Sequence, residues 1–328
     1  MTPGKPSDNE GQSVNPMVED TEAIETDVQQ ISSVSVSAST VSEHDNVSLP
    51  EVIYTADSLL RRPGRLIREM IHDLLASREL AWRLFVRDLS AQYRLSYLGY
   101  LWVFLPPLAT MGVWVFLNKQ GIMSVAETPV PYPVFVLTGL LLWEGFSAAL
   151  NSPLQVVRDA ASMLTKINFP REALLVAGFG HVLFNTVIRL TLLAIVFIWF
   201  QVSVPWTVIL APLGMLSVLM LGFTIGLILV PVGMLYQDIS RGLLMVTTFW
   251  FFLTPVVYPP PTSWPGSILN SMNPVSPVLL ATRDLLTTGD LARMPESLIV
   301  AGLTLAFFLI AWVSYRLALP HLIARMSS

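Results

Sequence analysis

The stretch of sequence that decides the fold covers residues 206–235 and reads WTVILAPLGMLSVLMLGFTIGLILVPVGML. It contains no charged residue, and it is longer than the roughly 20 apolar residues that cross the hydrocarbon core of a bilayer. The rest of the chain agrees, because only 13% of its residues are charged and its mean hydropathy is +0.61. An ordinary soluble domain carries about 25% charged residues, so the composition argues against a soluble enzyme.

Working outward from this segment, we find apolar runs on both sides that predict further spans. The fifth span is interrupted at Thr254-Pro255. The predicted spans cover about residues 98–117, 132–150, 172–200, 206–235, 242–258 and 297–319. The predicted fold class is therefore an all-α polytopic membrane protein with six transmembrane helices.

Lys and Arg residues orient these spans. If the N-terminus is cytoplasmic, the cytoplasmic segments hold 14 of the 19 basic residues of the chain, and the outer segments hold three, Lys119, Arg283 and Arg293. Arg189 lies within a span, and Lys5 lies in the N-terminal tail. Because cytoplasmic loops carry an excess of Lys and Arg, both termini are expected in the cytoplasm, with the protein in the cytoplasmic (inner) membrane.

The segments before the first span differ sharply in charge. Residues 1–57 carry a net charge of −10 with few apolar residues, which predicts a disordered acidic tail. Residues 58–96 have a basic, amphipathic helical pattern, which is typical of helices that lie at a membrane interface. This segment is either a simple anchor or a docking surface for a cytoplasmic partner. The six-span domain is expected over residues 97–328.

The region between the fifth and sixth spans is irregular. Residues 258–261 and 264–266 read YPPP and WPG, yet the residues that follow are apolar. Irregular backbone at membrane depth is tolerated only where protein or water covers it. We therefore expect short re-entrant helices on the outer side.

The sequence contains none of the common nucleotide-binding, zinc-binding or nucleophile motifs. It has no G-x-x-x-x-G-K-[ST] phosphate loop, no H-E-x-x-H zinc motif, no G-x-S-x-G nucleophile elbow and no cysteine. We expect no catalytic residue, no metal site and no cofactor in this chain. Any energy for work on a solute must come from elsewhere.

Polar residues within the predicted spans are few. His181, Asn185 and Arg189 share one face of the third span, and Glu144 lies in the second span at a depth similar to that of Arg189. Because an unpaired charge at this depth is costly, Glu144 and Arg189 are predicted to pair. The pair either joins the helices structurally or forms part of the polar lining of a transport path.

Three segments resemble one family of membrane proteins. Residues 87–102 read RDLSAQYRLSYLGYLW and are followed by Pro106-Pro107-Leu108, and residues 164–172 read LTKINFPRE. Together with Asn273-Pro274 and Arg283-Asp284, they resemble the ABC-2 type permeases that export O-antigen, capsule or teichoic acid polysaccharides. The resemblance covers roughly residues 60–325, whereas the long acidic tail departs from the family.

The resemblance implies partners and a coupling surface. Such a permease forms a homodimer and works with two copies of a separate P-loop ATPase, which binds ATP and Mg. The residues expected at the ATPase contact are Arg158, Asp159, Lys166 and Phe169, with Arg87, Asp88 and Arg94 on the amphipathic segment. The alternative is that the segment after the second span is only a linker.

The resemblance also implies a substrate path along the first and fifth spans. Aromatic faces stack on sugar rings, so the expected path residues are Tyr97, Tyr100, Phe104, Trp114, Trp250 and Phe252. These aromatics could instead face lipid or pack in the core. The expected function is outward export of a lipid-linked, O-antigen-like polysaccharide, as in lipopolysaccharide biosynthesis, without any role for nucleic acid.

Other functions stay open at this point. Within the family they are the export of capsule, teichoic acid or a small molecule. A gradient-driven flippase ranks lower, because the halves show no internal repeat and Glu144 is the only carboxylate deep in a span. A membrane-embedded transferase would need an acid–base cluster, and none is visible.

Overall fold

The computed structural model of the protein describes residues 63–93, 99, 101–123, 125–164 and 170–326. The chain divides into two units, Met1–Tyr54 and Thr55–Ser328, and every described residue lies in the second unit. The predicted acidic tail therefore lies outside the described residues. So do part of the predicted interface segment and residues 165–169 between the second and third spans.

The described residues contain helices and no strand. There are eleven α-helices and one 3-10 helix, which covers Trp206–Leu210. The α-helices, numbered here in chain order, are α1 Pro63–Ala76, α2 Arg78–Tyr93, α3 Leu101–Lys119, α4 Tyr132–Asp159, α5 Ala161–Leu164, α6 Glu172–Trp199, α7 Ala211–Leu235, α8 Asp238–Leu253, α9 Gly266–Met272, α10 Val275–Thr287 and α11 Met294–Met326.

Five helices among the described residues are long and apolar enough to cross a membrane, so the chain is a multi-pass membrane protein. They are α3, α4, α6, the continuous segment Trp206–Leu235 and Met294–Leu322 of α11. The predicted fifth span differs, because α8 has 16 residues and is about 24 Å long, less than the ~30 Å hydrocarbon core. It ends at Leu253 because Thr254 precedes Pro255 and takes an extended backbone, as residues before proline prefer.

The core is organised around α4. Of its most apolar window, 78% is buried, and α4 packs most extensively on α7 and then on α6. Gly222 and Gly226, one turn apart on α7, allow this close approach. A Cβ atom at Gly226 would lie 2.1 Å from the carbonyl oxygen of Leu150 on α4. This G-x-x-x-G contact is a common way for membrane helices to pack in a bilayer.

The amphipathic helices α1 and α2 pack on the bundle through one face only. Met70, Ala81 and Leu84 are buried, whereas Leu75 and Trp82 are about two-thirds exposed. On α2, the Phe85 ring meets the Phe184 ring of α6 with centroids 5.9 Å apart. The α2 helix therefore attaches to the N-terminal half of α6.

Candidate functional site: an aromatic face and its charged flanks

Helices α3 and α8 form the least packed part of the bundle. Only 6% of the most apolar window of α3 is buried inside the protein. Large apolar side chains on both helices are more than half exposed, among them Val113, Phe116, Phe249 and Phe252. We call these four residues the α3–α8 face. In a membrane protein such a face must meet lipid, a partner helix or a substrate.

The predicted path aromatics are divided between this face and the interior. Phe252 lies on the α3–α8 face and is 57% exposed, and Phe104 and Trp114 are half-buried. Trp250 is also half-buried, and its indole N–H donates a hydrogen bond to Asn273 Oδ1 at 3.0 Å. Tyr97 and Tyr100 lie outside the described residues. Trp250 therefore supports the fold, whereas Phe252 is the predicted residue most open to a ligand.

An aromatic ladder behind this face was missed by the sequence reasoning. It begins with the Trp114 and Phe251 rings, whose centroids are 6.5 Å apart, and joins α3, α8 and α4. The remaining contacts are Phe251 to Trp143 at 5.8 Å, Trp143 to Phe146 at 5.2 Å and Phe146 to Trp250 at 5.4 Å. Its α4 members could have been found from their i, i+3 spacing within the second span. The ladder links the exposed helices to the buried core.

The outer hairpin, which we define as residues 254–287, is held by buried polar side chains. Asn273 donates to Thr254 Oγ1 at 2.8 Å and accepts from Trp250. Arg283, which was counted above among the bases of the outer segments, is only 1% exposed. It donates to the Val256 carbonyl, and its guanidinium carbon lies 4.0 Å from the centroid of the Phe135 ring. Arg283 thus joins α10, α4 and the chain after α8.

Burial shapes the charge state of this hairpin. It lowers the pKa of Arg283 to about 9, against the opposing effect of the Asp284 carboxylate. The guanidinium is therefore still charged at neutral pH. Asp284 itself pairs with Arg293. Gly139 of α4 leaves the space for this arrangement, since a Cβ atom there would lie 2.2 Å from Arg283 Nη2.

The structure brings Glu144 and Arg189 together within the bundle. Arg189 Nε lies 3.3 Å from Glu144 Oε2, and the two side chains are 20% and 26% exposed, respectively. The contact is an ion pair rather than a well-aligned hydrogen bond, because Arg189 Nε and Nη1 have no hydrogen-bond partner among the described residues. His181 on the same helix is half-buried.

The predicted coupling residues fall into three groups. Lys166, Phe169 and Arg94 lie outside the described residues. Arg87 and Asp88 form an ion pair at 2.8 Å on α2, with side chains that are 59% and 45% exposed, and Asp159 is exposed at the end of α4.

Arg158, in contrast, makes hydrogen bonds within the helix bundle. It donates to the Gly233 carbonyl at 2.5 Å, to the Tyr236 carbonyl at 3.2 Å and to Ser240. These groups lie at the C-terminus of α7 and the start of α8. A guanidinium satisfies free carbonyls and the negative end of the helix dipole there. Arg158 therefore connects the end of α4 to the α7–α8 turn.

A second charged cluster joins three helices that are distant in sequence. Arg316 of α11 bonds to Glu172 of α6 at 3.0 Å and to Asp73 of α1 at 2.6 Å. The Tyr315 hydroxyl donates to the Arg171 carbonyl at 3.3 Å. Sequence reasoning missed this cluster because its members show no local pattern. It fastens the amphipathic helix α1 to the bundle.

Sequence comparison identifies the class to which this architecture belongs. Residues 79–287 match the family model described as ABC-2 type transporter, and the chain belongs to that family. The family is the membrane subunit of a transporter whose ATPase is a separate subunit. No three His, Cys, Asp or Glu side chains in the described ranges are placed to hold a metal ion.

Named relatives are similar to about two thirds of the chain. An O-antigen export system permease protein RfbA from Myxococcus xanthus is 32% identical over 216 residues, which cover 66% of this chain and 80% of the relative. A protein of the same name from Klebsiella pneumoniae is 27% identical over 216 residues, which cover 62% of this chain and 79% of the relative.

Proposed function

We propose that this chain is the permease subunit of an exporter that moves a lipid-linked, O-antigen-like polysaccharide outward across the cytoplasmic membrane. Hydrolysis of ATP with Mg in two copies of a separate P-loop subunit drives the movement. The observation that carries the proposal is the similarity to named O-antigen permeases over 216 residues. The family match over residues 79–287 includes α3, the aromatic ladder and α8.

A second copy of the chain is the proposed cover of the α3–α8 face. Four large apolar side chains are each more than half exposed there, while α4 and α7 behind them are tightly packed. Two such faces opposed across a two-fold axis would enclose a path lined with aromatic and apolar side chains. Rings of this kind can stack on the apolar C–H faces of sugars while the absence of charge avoids tight binding.

The outer hairpin completes the proposed fifth span, which begins with α8. The 16-residue α8 is about 24 Å long, so residues 254–257 must carry the chain through the remaining thickness. Their backbone is irregular, but Arg283 and Tyr132 donate to the Val256 and Val257 carbonyls, and Asn273 donates to the Thr254 side chain. This satisfies the rule that non-helical backbone at membrane depth is covered by protein.

Coupling to the ATPase is proposed at the cytoplasmic end of α4. Asp159 and the Arg87–Asp88 pair carry charges that a cytoplasmic partner could contact, and Arg158 connects the same end of α4 to the α7–α8 turn. A push on this end would therefore be transmitted to α8. Both termini are cytoplasmic in this arrangement, in line with the distribution of Lys and Arg.

Deletion of the gene in its own host tests the proposal. We expect the surface polysaccharide to disappear and the lipid-linked polymer to accumulate on the cytoplasmic side. Restoration by the wild-type gene, but not by a gene lacking the codons for α8, is the matched control. Unchanged surface polysaccharide in the deletion strain would contradict the proposed substrate.

A further inference from the structure

A groove of about 180 Å³ lies on the side of the bundle formed by α6, α7 and α11, with one contribution from α1. It is lined by Leu74, Glu172, Leu175, Val176, Phe179, Met220, Phe223, Phe308 and Trp312. All but one of these are apolar. Its volume exceeds the ~150 Å³ of an apolar protein cavity that binds benzene.

The one charged residue of this lining is neutralised. Glu172 is 5% exposed, and its carboxylate bonds to Arg316 at 3.0 Å. The neighbouring Arg171 is half-buried, and its carbonyl accepts a hydrogen bond from the Tyr315 hydroxyl at 3.3 Å. The groove therefore has an apolar body, and a basic residue, Arg171, directly precedes Glu172 at its charged end.

The direction of the groove follows from the helices that line it. Phe179 is seven residues beyond Glu172 on α6, about 10 Å farther into the bundle. Trp312 is one turn from Arg316 on α11. Ile71 and Leu75 of α1 are 49% and 65% exposed beside Leu74, so α1 also presents apolar side chains there. The groove thus begins at the charged cluster at one end of the bundle and extends along membrane-spanning helices.

We propose that this groove binds one acyl chain of a glycerophospholipid from the cytoplasmic leaflet, with the lipid phosphate on Arg171. The apolar lining matches the chain, and the guanidinium fork matches a phosphate in geometry and charge. The site lies on helices α6, α7 and α11, away from the α3–α8 face. The bound lipid fills the space beneath α1 and supports its attachment. This proposal requires only that the chain is embedded in a membrane, so it is independent of what is exported.

A photoreactive lipid tests the occupant. The full-length chain is reconstituted in vesicles of phosphatidylethanolamine and phosphatidylglycerol that contain a phosphatidylethanolamine with a diazirine in the upper part of one acyl chain. The protein is then extracted in detergent, separated from loose lipid, irradiated and mapped by peptide mass spectrometry. Leu309 and Ile310 serve as internal controls, because they are 54% and 61% exposed on α11 beside Phe308 but do not line the groove.

We expect Phe308 and Trp312 to be labelled at least about five-fold more than Leu309 and Ile310, the ratio given by ~1 kcal/mol of preference. Val176→Trp fills the groove and should remove the difference. Val187→Trp, three turns farther along the same face of α6, should leave it unchanged. Equal labelling of the two pairs in the wild-type chain would overturn the proposal whether or not either variant folds.

The phosphate contact is tested separately by native mass spectrometry of the detergent-extracted chain. Arg171→Gln should lower the fraction of protein that retains a phospholipid several-fold, and Arg171→Lys should lower it less. Arg241→Gln is the control, because Arg241 is an exposed base that does not line the groove. Equal loss in the Arg171→Gln and Arg241→Gln variants would show that Arg171 does not hold the phosphate.

Discussion

Helices α4 and α7 differ from α3 and α8 in packing far more than in apolar character. The most buried helix, α4, is less apolar than α6, α7 or α11. What separates it is the presence of small residues at its contacts, since Gly222, Gly226 and Gly233 each admit an atom of α4 at very close range. In a bilayer, hydropathy places a helix in the membrane, but small residues decide which helices pack closely. The glycine-packed pair is the scaffold, and α3 and α8 remain available for a partner.

Filling the contact between α4 and α7 should have the largest effect. Gly226→Leu would drive side-chain atoms into the Leu150 carbonyl, and overpacking of a tight core costs about 1–3 kcal/mol or more. We expect almost no monodisperse protein by fluorescence-detected gel filtration. Gly112→Leu on α3 is the control, because nothing lies within 4 Å of a Cβ atom there. If both variants behave alike, the two pairs of helices do not differ as described.

Removing the buried guanidinium from the outer hairpin should have the second largest effect on stability. Arg283→Gln leaves the Val256 carbonyl without its donor and Phe135 without its cation, at a cost of about 2–3 kcal/mol. We expect a lower apparent Tm in detergent and loss of export. Lys119→Gln, an exposed base that the same sequence argument places on the outer side, should change neither. A normal apparent Tm for Arg283→Gln would argue against its role in holding the hairpin.

Breaking the charged cluster on α1, α6 and α11 should reduce stability somewhat less than the Arg283 substitution. Arg316→Gln leaves the buried Glu172 without its charged partner, and we expect a loss of about 2 kcal/mol, in the range of a hydrogen bond to a charged group. The readout is protease cleavage within residues 63–76, which should increase as α1 detaches. Adding Glu172→Gln should restore part of the stability because it removes the stranded charge. Cleavage that does not change in Arg316→Gln would contradict the attachment.

The smallest effect is expected for the pair within the bundle. Glu144→Gln and Arg189→Gln should each cost about 1 kcal/mol, the upper range for polar contacts between membrane helices. The double variant should be better tolerated than the worse single variant in a thermal shift assay. If it is not, the two side chains do not stabilise each other, and a role in the transport path becomes the better explanation of their position.

Local sequence predicted the apolar spans well but not their ends. Helices α4 and α11 extend to Asp159 and Met326, past the predicted ends at residues 150 and 319, because a helix can continue into water where hydropathy no longer marks it. The break after α8 was visible in Thr254-Pro255. The Arg316–Asp73 contact was not, because its members are 243 positions apart and neither lies in a distinctive motif.

The depth of a side chain was predictable, whereas its neighbours in three dimensions were not. Counting residues from the helix ends placed Glu144 and Arg189 at one level, and the structure has them 3.3 Å apart. Arg283 was counted among the bases of the outer segments, and its local sequence does not show whether it is buried. Only the tertiary fold, through Phe135, Gly139 and Val256, shows that it is buried.

Cross-linking between copies tests the central claim most directly, because the chain contains no cysteine and each introduced one is unique. Single cysteines replace Val113 or Phe252 on the α3–α8 face, and Ile310 on α11 is the control, all with exposures of 57–61%. We predict that a short bismaleimide in native membranes gives covalent dimers from Val113→Cys or Phe252→Cys and none from Ile310→Cys. Dimers from Ile310→Cys alone would place the second copy on the other side of the bundle and contradict the account.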